Sequence, residues 1–224
     1  MGDTISNAKA NNLFWLGRYV QRVYLILHFM RRYRDMMIDD DEHSNAYIRF
    51  CDKVGIENVY ESNDHFLRNY LYDKTNPNSL ITALVYAGDN GTLLREEIKS
   101  ESLAYIQMSI SHIERCSKDA DIDELQMVTD SMLAFWGSID ERMSKGSSRT
   151  MLKAGKFLES FDLHVRFEYP QERILYLLDR FEKHAERERA IFDQILLFQL
   201  KRAVERPSFN KFKVLDLVSR LFVA

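Results

Sequence analysis

Two stretches of this 224-residue chain, far apart in sequence, carry the same helical pattern, and that doubling limits the folds open to it. Gly17-Arg18-Tyr19-Val20-Gln21-Arg22 returns in altered form as Gly155-Lys156-Phe157-Leu158-Glu159-Ser160. Around the first copy, Leu13, Leu16, Val20, Val23, Leu27 and Met30 follow alternating steps of three and four. That spacing keeps the side chains on one stripe of a helix. Around the second, Met151, Ala154, Leu158, Phe161 and Val165 take the matching places. Two helices of one design bury their stripes most simply by packing together. The expectation is an all-α bundle of about seven to nine helices with an internal pseudo-two-fold repeat, its repeat helices near 7–34 and 147–168.

With 46% hydrophobic residues the chain can bury a substantial core, and no Pro/Ser-rich linker separates the copies, so residues 1–224 read as one domain. Eight glycines and three prolines are few, and no run alternates apolar with polar residues long enough to predict a sheet. Thirty-one Lys and Arg against 34 Asp and Glu give no strongly basic field for nucleic acid. Cys51 and Cys116 are too few for a disulfide framework or a thiolate metal site. No apolar run approaches the roughly 20 residues that span a bilayer. The N-terminus lacks a basic segment leading into an apolar one, and although Met1 to Ser6 fits the loose myristoylation pattern, Asp3 is a poor neighbour for a membrane-seeking group. The predicted setting is cytoplasmic, without membrane or nucleic-acid partners.

Along the chain, a first helix is expected over 7–34, followed by an acidic loop at Asp39 to Glu42, and shorter helices near 46–54 and 64–72. Asn76-Pro77 reads as the next helix start. Gly88-Asp89-Asn90-Gly91 predicts a kink or break in what is otherwise a long helix to Cys116. Asp121 or Asp123 is placed to cap a helix that turns Leu125, Val128, Met132, Phe135 and Ile139 inward, before a turn at Lys145 to Ser148. Tyr169-Pro170 ends the second repeat helix; one long helix is then expected over 171–202, and a last one over 209–222.

Helix one carries a second row, Trp15, Arg18, Arg22, Leu25 and Phe29, matched in copy two by Lys153, Lys156, Ser160, Leu163 and Phe167. Arg18 and Lys156 thus keep a cation among apolar neighbours. They are candidates for snorkelling, for inter-helix pairing, or for holding a carboxylate or phosphate of a ligand or partner. The copies also differ in a complementary way: Gln21-Arg22 in the first, Glu159-Ser160 in the second. If each once held Glu-Arg and cross-paired, Arg22 with Glu159 is the structural polar pair retained. Removing a whole buried pair is tolerable, whereas stranding one partner costs about 3 to 5 kcal/mol.

Other chemistry leaves few traces. A di-iron bundle needs Glu-x-x-His pairs projecting inward, and none of the six histidines has Glu three residues before it. His28, His65, His112, His164 and His184 are scattered; only His43 adjoins an acidic cluster, so no metal site or cofactor is expected. Asp35 with Asp39, and Asp119 with Asp123, have the Asp-x-x-x-Asp spacing by which all-α isoprenoid synthases hold magnesium against a diphosphate. A magnesium-dependent enzyme of that class is therefore the alternative. No Gly-x-Ser-x-Gly elbow and no Gly-x-x-x-x-Gly-Lys loop occurs, so the sequence identifies no catalytic residue. From Lys201 to Arg220 the chain is locally basic, which complements helix ends and also suits an acidic partner.

Asn12-Leu13-Phe14-Trp15-Leu16-Gly17-Arg18-Tyr19-Val20-Gln21-Arg22 closely resembles the opening segment of the Alpha-E family of bacterial helical proteins, Asn-Leu-x-Trp-Leu-Gly-Arg-Tyr-x-Glu-Arg. Ala134-Phe135-Trp136-Gly137, Glu141-Arg142-Met143 and Leu152 to Glu159 resemble the approach to the family's second copy, and Asn76 to Leu80 with Arg95, Ile98 and Glu101 resemble its middle segment. Neither copy here has the full Glu-Arg pair, and Gly88 and Thr92 stand where the family usually has two arginines. The resemblance implies a small helical protein that works with a circularly permuted ATP-grasp protein, often with a transglutaminase-like peptidase as well, in forming or remodelling amide bonds. An accessory or substrate-presenting role follows, with Arg18, Arg22, Arg95, Lys156 and Glu159 as candidate ligand- or partner-binding residues.

Overall fold

The computed structural model describes residues 5–39, 46–116 and 122–223. Asp40 to Glu42, His43, Asp119, Asp121 and the start of the myristoylation pattern lie outside them. Among the described residues the chain forms eleven α-helices and one 3₁₀ turn, more than the seven to nine expected, with a single isolated antiparallel bridge between Phe192 and Phe222. The helices are α1 (Asn7–Asp39), α2 (Ala46–Val54), α3 (Asn63–Tyr72), α4 (Leu80–Leu93), α5 (Arg95–Ile98), α6 (Ser100–Arg115), α7 (Gln126–Arg142), α8 (Ser147–Arg166), α9 (Gln171–Ala185), α10 (Gln194–Val204) and α11 (Lys211–Arg220). They fall into two compact units. The first holds residues 5–21 and 143–223, the second residues 22–39, 46–116 and 122–142.

In the first unit, α8 is the central element. Thr150 to Gly155 and Leu158 to Val165 are buried, so this helix packs neighbours on more than one side. Its apolar stripe, Met151, Ala154, Leu158, Phe161 and Val165, is at most 1% exposed, as are Leu13, Leu16 and Val20 of α1. Helices α9 and α11 pack on α8, and α10 packs on α9 and α11. The single helix expected over 171–202 is instead two. The chain leaves helical geometry after Ala185, Asp193 accepts from the Ile195 and Leu196 amides to cap α10, and the intervening backbone pairs with the C-terminal segment. There, Asp193 N donates to Leu221 O and Val223 N to Ile191 O. That pairing places Phe222 flat against Phe14 at 4.2 Å between centroids, with Phe192 edge-on to both.

In the second unit, α6 packs between α4 and α7. Leu125, Val128, Met132, Phe135 and Ile139 are all fully buried, as the spacing predicts. Two expectations fail. Asn76 does not begin a helix: its side chain accepts from the Asn78 amide, and Ser79 caps α4 by accepting from the Thr82 amide. Nor do Gly88 and Gly91 break α4, which runs on to Leu93. A Cβ at these positions would lie 2.9 Å from Ile110 Cδ1 and 2.8 Å from Leu103 Cδ1, so the missing side chains let α6 approach, and packing offsets their low helical propensity. The break falls at Lys99, whose φ of 71° turns α5 into α6. Around Phe66, the rings of Phe50, Tyr60 and Tyr70 cluster at 5.1 to 5.5 Å.

Candidate functional site

The two repeat helices of the first unit meet backbone to backbone. A Cβ added to Gly17 would fall onto the carbonyl oxygen of Leu152 and 3.1 Å from the Lys156 amide nitrogen. One added to Gly155 would fall onto the carbonyl oxygen of Phe14 and 3.1 Å from the Arg18 amide nitrogen. Each partner position is the other's equivalent in the repeat, so the contacts are reciprocal and define a local two-fold axis between α1 and α8. Small residues at a helix crossing permit this closeness, and with it weak Cα–H···O contacts. The doubling alone does not reveal what Gly17 and Gly155 do. The available signal was a glycine at the same register of two otherwise apolar helices, where its helical cost demands a packing reason.

The crossing fixes the polar residues beside it. Immediately after Gly17, Arg18 reaches α8, where its Nε donates to Glu159 Oε2 at 2.6 Å and its Nη2 to Asp162 Oδ2 at 3.1 Å. The other Asp162 oxygen accepts from Arg166 Nε at 2.6 Å. Glu159 is fully buried, Asp162 nearly so, and the Arg18 side chain is 11% exposed. Two guanidiniums and two carboxylates thus meet in a shielded setting where charge-assisted hydrogen bonds are strong. The guanidinium carbon of Arg18 also lies 5.1 Å from the Trp15 ring centroid and 5.9 Å from that of Phe14. Of the roles open to Arg18, these are the contacts of inter-helix pairing.

The remaining candidates divide between the two units. Under the two-fold, Lys156 occupies the place of Arg18 and is half-buried on α8. Gln21 occupies the place of Glu159; it is 6% exposed, and its Oε1 is buried without a hydrogen-bond partner. Arg22 is the first residue of the second unit, where its charge acts on the buried Tyr70 hydroxyl. Arg95 is exposed at the start of α5, also in that unit. Asp162 was not singled out from the sequence, although its place one turn from Glu159 is legible as an i, i+3 carboxylate pair.

His164 is buried with Nδ1 2.7 Å from the Ser160 carbonyl oxygen and its ring 4.4 Å from that of Tyr169. Among the described residues, no three His, Cys, Asp or Glu side chains gather as a metal site. Of the two Asp-x-x-x-Asp spacings, Asp35 is exposed on α1, and Asp119 lies outside the described residues. No described helix is long and apolar enough to cross a membrane.

Fold and site together define an all-helical protein built on an internally duplicated helix, whose copies cross at paired glycines and are tied by a buried ion network. The chain belongs to the Alpha-E family: the family model, described as a predicted alpha-helical domain with a conserved ER motif, matches residues 8–187. No curated protein and no solved structure matches the chain. At the two repeat positions that resemble that motif the chain reads Gln21-Arg22 and Glu159-Ser160, and Glu159 is the residue Arg18 binds.

Proposed function

We propose that the chain is a non-catalytic, accessory or substrate-presenting component of an amide-bond-forming system, acting with a circularly permuted ATP-grasp protein and with a transglutaminase-like peptidase as a further partner. The observation that supports this reading is the inward use of charge at the crossing. Arg18, Glu159, Asp162 and Arg166 bind one another, so the residues best placed to act on a substrate are spent on holding two helices. A buried pair of this kind specifies register rather than chemistry. The activated intermediate would form on the partner, and this chain would supply a rigid helical surface. Cys51 and Cys116, both free thiols, suit a reducing cytoplasmic setting.

Affinity purification of the tagged full-length chain from its native host tests the proposal. Recovery of the ATP-grasp protein in near-stoichiometric amount is expected. A chain that purifies alone from lysate in which that protein is present, or one that turns over a substrate unaided, overturns the reading.

A further inference from the structure

The face of α8 turned away from α1 meets α9 across a second polar cluster that the ion network does not use. On α8, Lys153 and Phe157 are four residues apart; on α9, Arg180 and His184 are likewise four apart, and Arg187 follows in the turn just after the helix ends at Ala185. These spacings put each pair on one side of its helix, and the two helices pack together. The His184 ring lies over Phe157 at 5.5 Å between centroids and 16° between planes. The guanidinium carbon of Arg180 sits 4.8 Å from the same Phe157 centroid.

Three cations, Arg187, Arg180 and Lys153, act on His184 here. Arg180 and Arg187 are exposed and take no carboxylate among the described residues, while Lys153 is only 8% exposed. The carboxylates nearest in sequence on α9 are engaged elsewhere: Asp179 by Lys183 at 2.6 Å and Glu182 by Lys201 at 2.9 Å. His184 experiences this field. Burial first, and then Arg187, Arg180 and Lys153, hold its pKa down at about 4, so the ring is neutral near pH 7. Its Nδ1 is buried with no hydrogen-bond partner, which leaves Nε2 as the nitrogen for solvent or a ligand. Stacking on Phe157 holds the Arg180 guanidinium in place, so its donor fork is pre-organised for a planar or tetrahedral oxyanion.

We propose that Lys153, Phe157, Arg180, His184 and Arg187 form a binding site for a small oxyanionic group, a phosphate or a carboxylate, carried by a free ligand or by an acidic side chain of a protein partner. Arg180 makes the bidentate contact, Arg187 and Lys153 supply field, and His184 Nε2 adds a neutral hydrogen bond. This goes beyond the accessory role and does not depend on it.

The test is an NMR titration of the full chain at pH 7 and constant ionic strength, following the His184 and Phe157 ring resonances. The probes are inorganic phosphate, acetate and a glutamate-rich peptide. Saturable shifts are expected, weakened at least about tenfold by Arg180→Gln. Arg173→Gln, which removes another exposed arginine of α9, stacked on Tyr176 at 5.3 Å, leaves the affinity within about twofold. Saturation by phosphate or acetate identifies a free anion as sufficient, whereas saturation by the peptide alone identifies carboxylates of a partner. No saturable shift with any probe up to about 50 mM, or equal loss in the two arginine variants, overturns the site.

Discussion

Replacing Gly17 by alanine places a methyl group where a helix backbone already is. The obstacle is the Leu152 carbonyl oxygen, fixed in the buried centre of α8, so no side-chain rotation relieves the clash and the two helices must part. Overpacking of this kind costs about 1 to 3 kcal/mol, occasionally more. A gap of about 0.5 to 1 Å forfeits a quarter to a half of each dispersion contact along the seam. The same displacement strains the 2.6 Å bond from Arg18 to Glu159, and complete loss of that buried ion pair would cost about 3 to 5 kcal/mol. Against this stands the gain of alanine over glycine in a helix, about 1 kcal/mol. A net loss of about 3 kcal/mol is expected for Gly17→Ala and again for Gly155→Ala. For a chain of this length, that lowers the midpoint by about 6 to 12 °C. The double variant should lose less than the sum, because one separation of the helices relieves both clashes. Gly137 in α7 is the control: its Cβ would meet nothing within 4 Å, so Gly137→Ala should stabilise by up to about 1 kcal/mol. Thermal and urea unfolding followed by Trp15 fluorescence in a Trp136→Phe background measures the first unit. A Gly17→Ala variant as stable as wild type would refute the crossing.

Four further outcomes follow from particular contacts. Arg18→Gln breaks the buried ion pair with Glu159 and should cost about 3 to 5 kcal/mol, whereas joint replacement by Arg18→Met and Glu159→Leu should recover most of it in urea melts. Gln21→Glu puts a carboxylate at the place equivalent to Glu159; Lys156→Met should then cost about 1 kcal/mol more in that background than in wild type, and an equal cost would exclude coupling between the two positions. His184 has a native pKa of about 4 against 6.5 for the free side chain, so its contribution to stability is complete above pH 6.5 and is lost as pH falls from 6.5 towards 4. His184→Gln should flatten the stability profile over that interval, and an unchanged slope would contradict the assignment. Burial pushes the Cys51 thiol up to about 12 and leaves it no exposed surface, so at pH 8 a thiol reagent should modify Cys116 while Cys51 reacts only as the chain unfolds.

Much of the fold is legible because helix stripes are a local property. The stripes of α1 and α8, the inward residues of α7, and the breaks at Gly146 and Tyr169-Pro170 all follow from spacing and turn chemistry. What escapes the sequence is set by distant contacts. Nothing within residues 186–193 demands a break; the helix stops there because the backbone near Phe192 bonds to the segment at Leu221 and Val223. Gly88 and Gly91 read locally as breakers, yet they serve the approach of α6. For the site, Arg18 and Glu159 stand out individually from comparison of the copies. Which groups meet depends on the register of the crossing, and that register is dictated by Gly17 and Gly155 as points of closest approach.

Duplication gives two equivalent helices, but a protein needs its two faces to differ, and the divergence of α8 shows where the difference was made. Towards α1 it carries Glu159 and Asp162, which fasten the crossing through Arg18. Towards α9 it carries Lys153 and Phe157, where the equivalent residues of α1 are Trp15 and Tyr19. The equivalents of Glu159 and Asp162 on α1 are Gln21 and Tyr24, neither of them charged. One side of the two-fold therefore holds the ion network, and the other keeps a buried amide whose Oε1 has no partner, a situation that costs about 1 to 3 kcal/mol. A crossing fastened by ions on one side only has a register without needing a second network. The equivalent positions are then released from that duty, and Lys153 of α8 acts on His184 of α9 together with the exposed Arg180 and Arg187.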